Sequence, residues 1–220
     1  MLTGSSCSGK STLAFAVAER FDRLAVHDTD ESGVPDNPDR HWRNHNTEEW
    51  LQRGLDYQAD GVDLLLTGQA PLGEILAAPS APLLNAVAVC LVDVADEHRR
   101  RRLVERHSGP GRAAGWTDRD VERFNNWAAW HRAHARDPRH RPDVLTATSA
   151  PGMAWHRWSS WTAEDSRWQT RVIDTTDRPL ATSVAELAEW IAAQRELQRS
   201  GRHPLRSGWE RRARSSGPAD

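Results

Sequence analysis

Lysine is almost missing from this chain: Lys10 is the only one in 220 residues, and every other strong base is arginine. Cysteine is scarce as well. Cys7 and Cys90 supply no disulfide framework and read as reduced thiols of a cytoplasmic protein. No apolar run approaches the roughly 18 residues of a membrane-spanning helix, and no signal peptide is visible, which argues against a membrane role. Neither sign of charge dominates. A formal net charge of −2 gives no overall field to gather nucleic acid, so a nucleic-acid partner is not expected. Phenylalanine and tyrosine are few, 3 and 1, against 11 tryptophans. The length suits one domain with a real core.

The lone lysine stands in Gly4-Ser5-Ser6-Cys7-Ser8-Gly9-Lys10-Ser11-Thr12, which fits the phosphate-binding pattern G-x-x-x-x-G-K-[ST]. Each residue type there has a physical reason. Gly4 and Gly9 lack a Cβ, so the backbone can curl and bring N–H groups around phosphate oxygens. A helix starting near Lys10 adds the positive end of its dipole. Lys10 is a compact point charge for β- and γ-phosphates, and the Ser11 hydroxyl is a Mg²⁺ ligand. A chain so biased toward arginine still places an ammonium at this one position.

Beyond the loop, strand and helix signals alternate. Met1–Thr3 is a short lead-in strand, less than the usual five or so residues, as if the start were set too late or trimmed. A helix is expected from Lys10 to about Arg20, a strand over 24–27, and loop through Pro35 and Pro38 to His45. Thr47 reads as the N-cap of a helix to about Asp60. The apolar runs 62–67 and 86–94 read as strands buried on both faces. Helices are expected from Asp96 to about Arg106 and, behind the Thr117–Asp120 capping box, to about Arg136. A last strand covers 171–173, and Ser183-x-x-Glu186 reads as the cap of the final helix. Residues 200–220 read as a polar, disordered tail, leaving a single domain over 1–199. The alternation implies an α/β fold with a parallel sheet of about five strands. Its ligand rim would gather the loop, Asp28 and Asp30, Gly68-Gln69, and Asp174-Thr175-Thr176 at the strands' carboxyl ends.

With these residues in place, the chain resembles the P-loop small-molecule and nucleotide kinases, the group that includes shikimate, gluconate and adenylate kinases. The resemblance spans roughly 1–106 and 168–198. It implies a P-loop NTPase three-layer sandwich, with a helical Trp-rich lid insertion over about 107–167. It also implies ATP and Mg²⁺ as ligands, with Gly4 through Thr12 around the nucleotide. Asp28-Thr29-Asp30 occupies the place of the group's acidic residues after the second strand. By resemblance, Asp28 supports Mg²⁺ alongside Ser11, and Asp30 orients or deprotonates the acceptor hydroxyl. Arg102, Arg106 and Arg112 resemble lid-proximal arginines that clamp transferred phosphate or touch the base. Asp174, Thr175 and Thr176 resemble the base-contacting loop, and Gly68 and Gln69 the acceptor end of the third strand. The chain departs from the group's pattern at Thr67, where no carboxylate ends the third strand; this moves the metal role toward Asp28.

Two readings of the tryptophans stay open: a wall for a flat acceptor, or packing of a helical segment on the main domain. Trp155, Trp158 and Trp161 recur every third residue and could share one side of a helical turn. His41 and His45, at i,i+4, lack an acidic or cysteine partner for zinc. The expected activity is ATP-dependent phosphoryl transfer to a small-molecule acceptor. The rival is a P-loop ATPase or nucleotide-dependent switch engaging a macromolecular partner. Nothing in the sequence bears on oligomeric state.

Overall fold

The computed structural model describes residues 1–107 and 117–210. Among these, five strands form one wholly parallel sheet: β1 (Leu2–Thr3), β2 (Leu24–Asp28), β3 (Asp63–Thr67), β4 (Val89–Asp93) and β5 (Thr170–Asp174), in the order β2-β3-β1-β4-β5. The connection leaving β1 runs to β2 on one side, and that leaving β4 runs to β5 on the other. Neighbouring strands whose connections diverge open a crevice between their carboxyl ends, the usual ligand position in such sheets. β1 has only two residues but sits at the centre, with Leu2 opposite both Thr67 and Cys90.

Helices cover both faces. On one face α1 (Lys10–Ala18) buries Leu13, Ala14 and Val17 against the last helix of the fold, α7 (Leu180–Arg199), whose Val184, Leu187 and Ile191 follow helical spacing. On the other lie α2 (Arg40–Ala59), α3 (Leu72–Ala77) and α5 (Asp118–Arg136), with α4 (Asp96–His107) beside α5 and the short α6 (Asp143–Thr146) after it. This second core is built on tryptophan. Trp158, Trp161, Trp168 and Trp209 pack with Leu72, Ile75 and Leu76 of α3.

Four expectations are corrected here. α2 begins at Arg40, seven residues ahead of Thr47, because the Asp39 carboxylate caps it by accepting the Trp42 N–H at 2.8 Å. Thr47 is buried two turns in and points its hydroxyl at Glu74. α7 begins at Leu180 behind Pro179; Ser183 is a buried residue of its first turn and caps nothing. The three evenly spaced tryptophans share no helix: only Trp155–Arg157 form a 3-10 turn, while Trp158 donates its indole N–H to the Gly73 carbonyl at 2.7 Å inside the core. The domain also does not end at 199. Leu205 and Trp209 are 3% and 0% exposed, and Leu205 accepts the Val87 N–H at 3.1 Å. Two apolar anchors thus bind residues 201–210 to the fold, and disorder does not apply to them.

Candidate functional site

The glycine-rich loop between β1 and α1 is shaped by contacts that leave no alternative. At Gly4, φ is +144°, and a Cβ would stand 2.3 Å from the Val92 carbonyl oxygen, so only glycine lets the chain pass β4. Cys7 and Gly9 are left-handed, with φ of 60° and 97°. The loop's carbonyls are bonded from behind. Arg99 donates to Ser6 O at 2.9 Å, Arg102 to Cys7 O at 3.3 Å, and Thr175 Oγ1 to Ser8 O at 2.9 Å. Ser5 Oγ reaches the Phe124 carbonyl at 2.8 Å. With the carbonyls held on that side, the N–H groups turn the other way. Those of Cys7, Gly9, Lys10 and Ser11 donate to no protein acceptor among the described residues. Such a run of unpaired donors at a helix start is a nest for an anion.

Lys10 lies beside these donors, its Nζ on Ser5 O at 3.2 Å. Burial pushes its pKa down to about 8, against the pull of Asp28 and Asp30 and with Arg99 adding to the depression. The ammonium is therefore poorly solvated, a penalty that an anion placed beside it would offset.

Asp28 and Asp30 flank the nest at the end of β2 but in unequal surroundings. Asp28 Oδ2 accepts from Ser11 Oγ at 2.6 Å and from Thr67 Oγ1 at 2.5 Å. Burial works to raise its pKa, yet these hydroxyls, the Asp30 N–H and Lys10 prevail and hold it below the usual carboxylate range. Asp30 shifts the other way: burial raises it, and the charge on Asp28 raises it further. One carboxylate is fixed and ionised while its neighbour more readily takes a proton. Ser11 and Asp28 present hard oxygen ligands within one hydrogen bond of each other. Among the described residues no three His, Cys, Asp or Glu side chains converge on a metal position. That donor set fits Mg²⁺, which takes one or two protein oxygens and completes its shell with water and phosphate.

All of this opens into a cleft of about 1590 Å³. Of the residues singled out from sequence, Ser6, Cys7, Gly9 through Thr12, Asp28, Asp30, Gly68, Gln69, Arg102, Arg106 and Thr175 line it. Gly4, Ser5 and Ser8 are buried behind the loop and act as its frame. Asp174 and Thr176 are not on the cleft: Asp174 caps the Thr176 N–H at 2.9 Å, and Thr176 Oγ1 accepts from Ala95 N at 2.7 Å. Their turn chemistry serves to hold Thr175 in place. Arg112 and Trp116 lie outside the described residues. Trp127 and Trp130 reach the cleft, whereas Trp158 and Trp161 belong to the core.

Sequence reasoning missed two groups. Thr67 matters because the sheet register sets it opposite Asp28, a pairing that no local motif displays. The second is the far wall, where Arg40, Trp42, Arg43 and Asn46 of α2 face Arg123 and Trp127 of α5. The Asp39 cap was the available signal for the first of these helices. Arg43 is anchored by the fully buried Glu74 at 2.7 Å, and its guanidinium lies 5.4 Å over the Trp127 ring. No protein-family model and no curated protein matches this chain. What stands is the geometry: an open anion nest, a lone lysine, and two carboxylates of opposed tendency on the rim of a parallel sheet.

Proposed function

We propose that the chain is an ATP-dependent phosphotransferase of the P-loop kinase type, acting on a small molecule held against the α2 and α5 wall. The observation that carries this reading is the set of unpaired N–H groups from Cys7 to Ser11 beside Lys10, opening on a cleft much larger than a triphosphate needs. In this reading the N–H groups and Lys10 hold the β- and γ-phosphates, and Ser11 and Asp28 hold Mg²⁺. The metal ion, when bound, neutralises charge on the phosphate oxygens during transfer. Thr67 keeps Asp28 ionised and aimed. Asp30, with its raised pKa, receives the acceptor's proton. Arg106, on the same cleft, stabilises the transferring group. α5 serves as the inner wall of the lid, and the cleft it closes excludes water from the transfer.

The test is incubation with γ-labelled ATP, Mg²⁺ and a small-molecule cell extract, with Lys10→Ala and Asp30→Asn alongside. Label should move to an organic compound. Lys10→Ala should lose nucleotide binding, and Asp30→Asn should keep binding while transfer drops by about a hundredfold or more. Label released only as inorganic phosphate, at a rate unaffected by the extract, sinks the kinase reading in favour of an ATPase or switch.

A further inference from the structure

The cleft is lined by eight lysine and arginine side chains against four carboxylates among the described residues. Three of these bases carry a carboxylate from outside the cleft: Arg43 on Glu74, Arg141 on Asp143, and Arg178 on Glu186. Lys10 and Arg102 both donate to carbonyls of the glycine-rich loop, Arg102 from α4, and Arg106 follows one turn later on α4. Arg40 and Arg123 remain. Neither has a carboxylate within 4 Å among the described residues. Arg40 donates to the Ala147 carbonyl, and Arg123 lies 5.3 Å over the Phe124 ring.

Both stand on helix faces directed into the cleft. On α5 the cleft residues Arg123, Asn126, Trp127 and Trp130 follow i, i+3, i+4, i+7, one stripe of the helix, with Phe124 beside it. On α2 they are Arg40, Arg43, Asn46 and Thr47, again one stripe, with Trp42 beside it. The two stripes meet where Arg43 covers Trp127.

The aromatic side chains of this wall are unequal. Trp127 stacks on Trp130 with centroids 4.8 Å apart and planes 1° from parallel, and Trp130 stacks in turn on His134. That column is closed within the protein. Trp42 is half-buried on the cleft and has no ring partner and no indole hydrogen bond among the described residues. A flat ligand ring therefore meets an indole without a ring partner on the cleft wall, which Arg40 lines as well.

From this we infer that the acceptor is an aromatic compound carrying an anionic group, a carboxylate or a phosphate, with its ring on Trp42 and its charge between Arg40 and Arg123. The inference rests on the proposed kinase reading only for the word acceptor; the wall binds its ligand whether or not transfer follows. Arg40 is partly buried and Arg123 exposed, and an anionic acceptor offers both the charged partner that the described residues do not, through charge-assisted hydrogen bonds that a neutral acceptor lacks.

The experiment uses 1-naphthyl phosphate and 1-naphthoate as anionic probes, with 1-naphthol and 1-naphthamide as neutral partners. Binding is measured by equilibrium dialysis to the full chain, to Lys10→Ala, and to the exposed-site double variant Arg40→Gln/Arg123→Gln. Each protein is first checked for an unchanged melting temperature, and binding of a non-hydrolysable ATP analogue is recorded separately. At least one anionic probe should bind about tenfold or more tighter than its neutral partner. That preference should survive Lys10→Ala and vanish in the double variant, and Trp42→Ala should weaken both members of the pair. The phosphate and carboxylate arms identify which anion the wall prefers. Equal binding of anionic and neutral probes overturns the inference. So does an anion preference that disappears in Lys10→Ala and persists in the double variant, since the probe is then in the glycine-rich loop. Loss of ATP-analogue binding from the unmodified chain strikes the kinase reading alone.

Discussion

Asp28→Asn probes the point where fold and proposed chemistry meet. The carboxylate accepts two short hydrogen bonds, from Ser11 and Thr67. Bonds to a charged acceptor contribute about 1.5–3 kcal/mol each and bonds to a neutral one about 1 kcal/mol. Asparagine can keep both contacts through its carbonyl oxygen but then turns its amide NH2 toward the Asp30 N–H that the carboxylate accepts at 3.1 Å. The folding loss is therefore about 1–3 kcal/mol, reduced by relief of the repulsion that raises Asp30. In a domain of this size that lowers the melting temperature by about 3–10 °C. Ligand arms then separate structure from function. At a concentration near 100 times Kd, a nucleotide stabilises the native chain by about 2.7 kcal/mol. With ATP and a chelator, the unmodified protein and Asp28→Asn should gain equally, because the N–H groups and Lys10 are intact in both. With ATP and Mg²⁺, the unmodified protein should gain a further increment that Asp28→Asn lacks. The assay is differential scanning fluorimetry over a nucleotide series in both buffers. An equal Mg²⁺-dependent increment in the two proteins would refute the assignment of Asp28 to the metal.

Gly4→Ala places a methyl 2.3 Å from the Val92 carbonyl at a left-handed φ, so it should cost about 3 kcal/mol or more and abolish nucleotide binding, read by urea titration with and without ATP. Trp209→Ala removes a fully buried ring that packs edge-on to Trp161, and about 3–5 kcal/mol should be lost; a change under 1 kcal/mol contradicts the packed position of residues 201–210. Acid should destabilise the fold through the buried histidines. Burial pushes the His134 pKa down to about 4, outweighing the opposing bond to the His140 carbonyl, and lowers His131 as well. A base depressed in the folded state is protonated first in the unfolded chain. Its contribution is therefore complete above pH 6.5 and is lost as pH falls toward 4, about 3 kcal/mol for His134 alone. Urea midpoints between pH 7.5 and 4.5 test this, and His134→Gln should flatten the slope.

The legible parts of the site were those whose constraint is local. Gly4, Gly9, Lys10 and Ser11 act through spacing along a single turn of chain, and Asp28 and Asp30 through their place at a strand end. Thr67 was opaque because its partner lies 39 residues away and is chosen by sheet register. The start of α2 was obscured by Pro35 and Pro38, whose density reads as loop, although Pro38-Asp39 is also a good helix opening. Periodicity misled at Trp155, Trp158 and Trp161, because burial in a shared core imposes no helical repeat. Leu205 and Trp209 were hidden among arginines, glycines and serines. Two isolated apolar residues carry little compositional signal, yet each fills a closed site in the fold.

The bonds behind the glycine-rich loop come from residues far along the chain: Arg99 and Arg102 about 90 residues on, Phe124 at a separation of 119, and Thr175 at 167. The Arg99 and Arg102 bonds come from α4, directly after β4, and the Thr175 bond from the residue directly after β5, so the complete set requires both strands in the sheet. A nascent or partly folded chain thus has the glycine-lysine sequence but no oriented row of N–H donors. The anion nest with all of these bonds behind it is therefore a property of the closed sheet, not of the loop alone. Loosening the sheet at β5, far from any phosphate, should be felt first as a loop that no longer holds its shape.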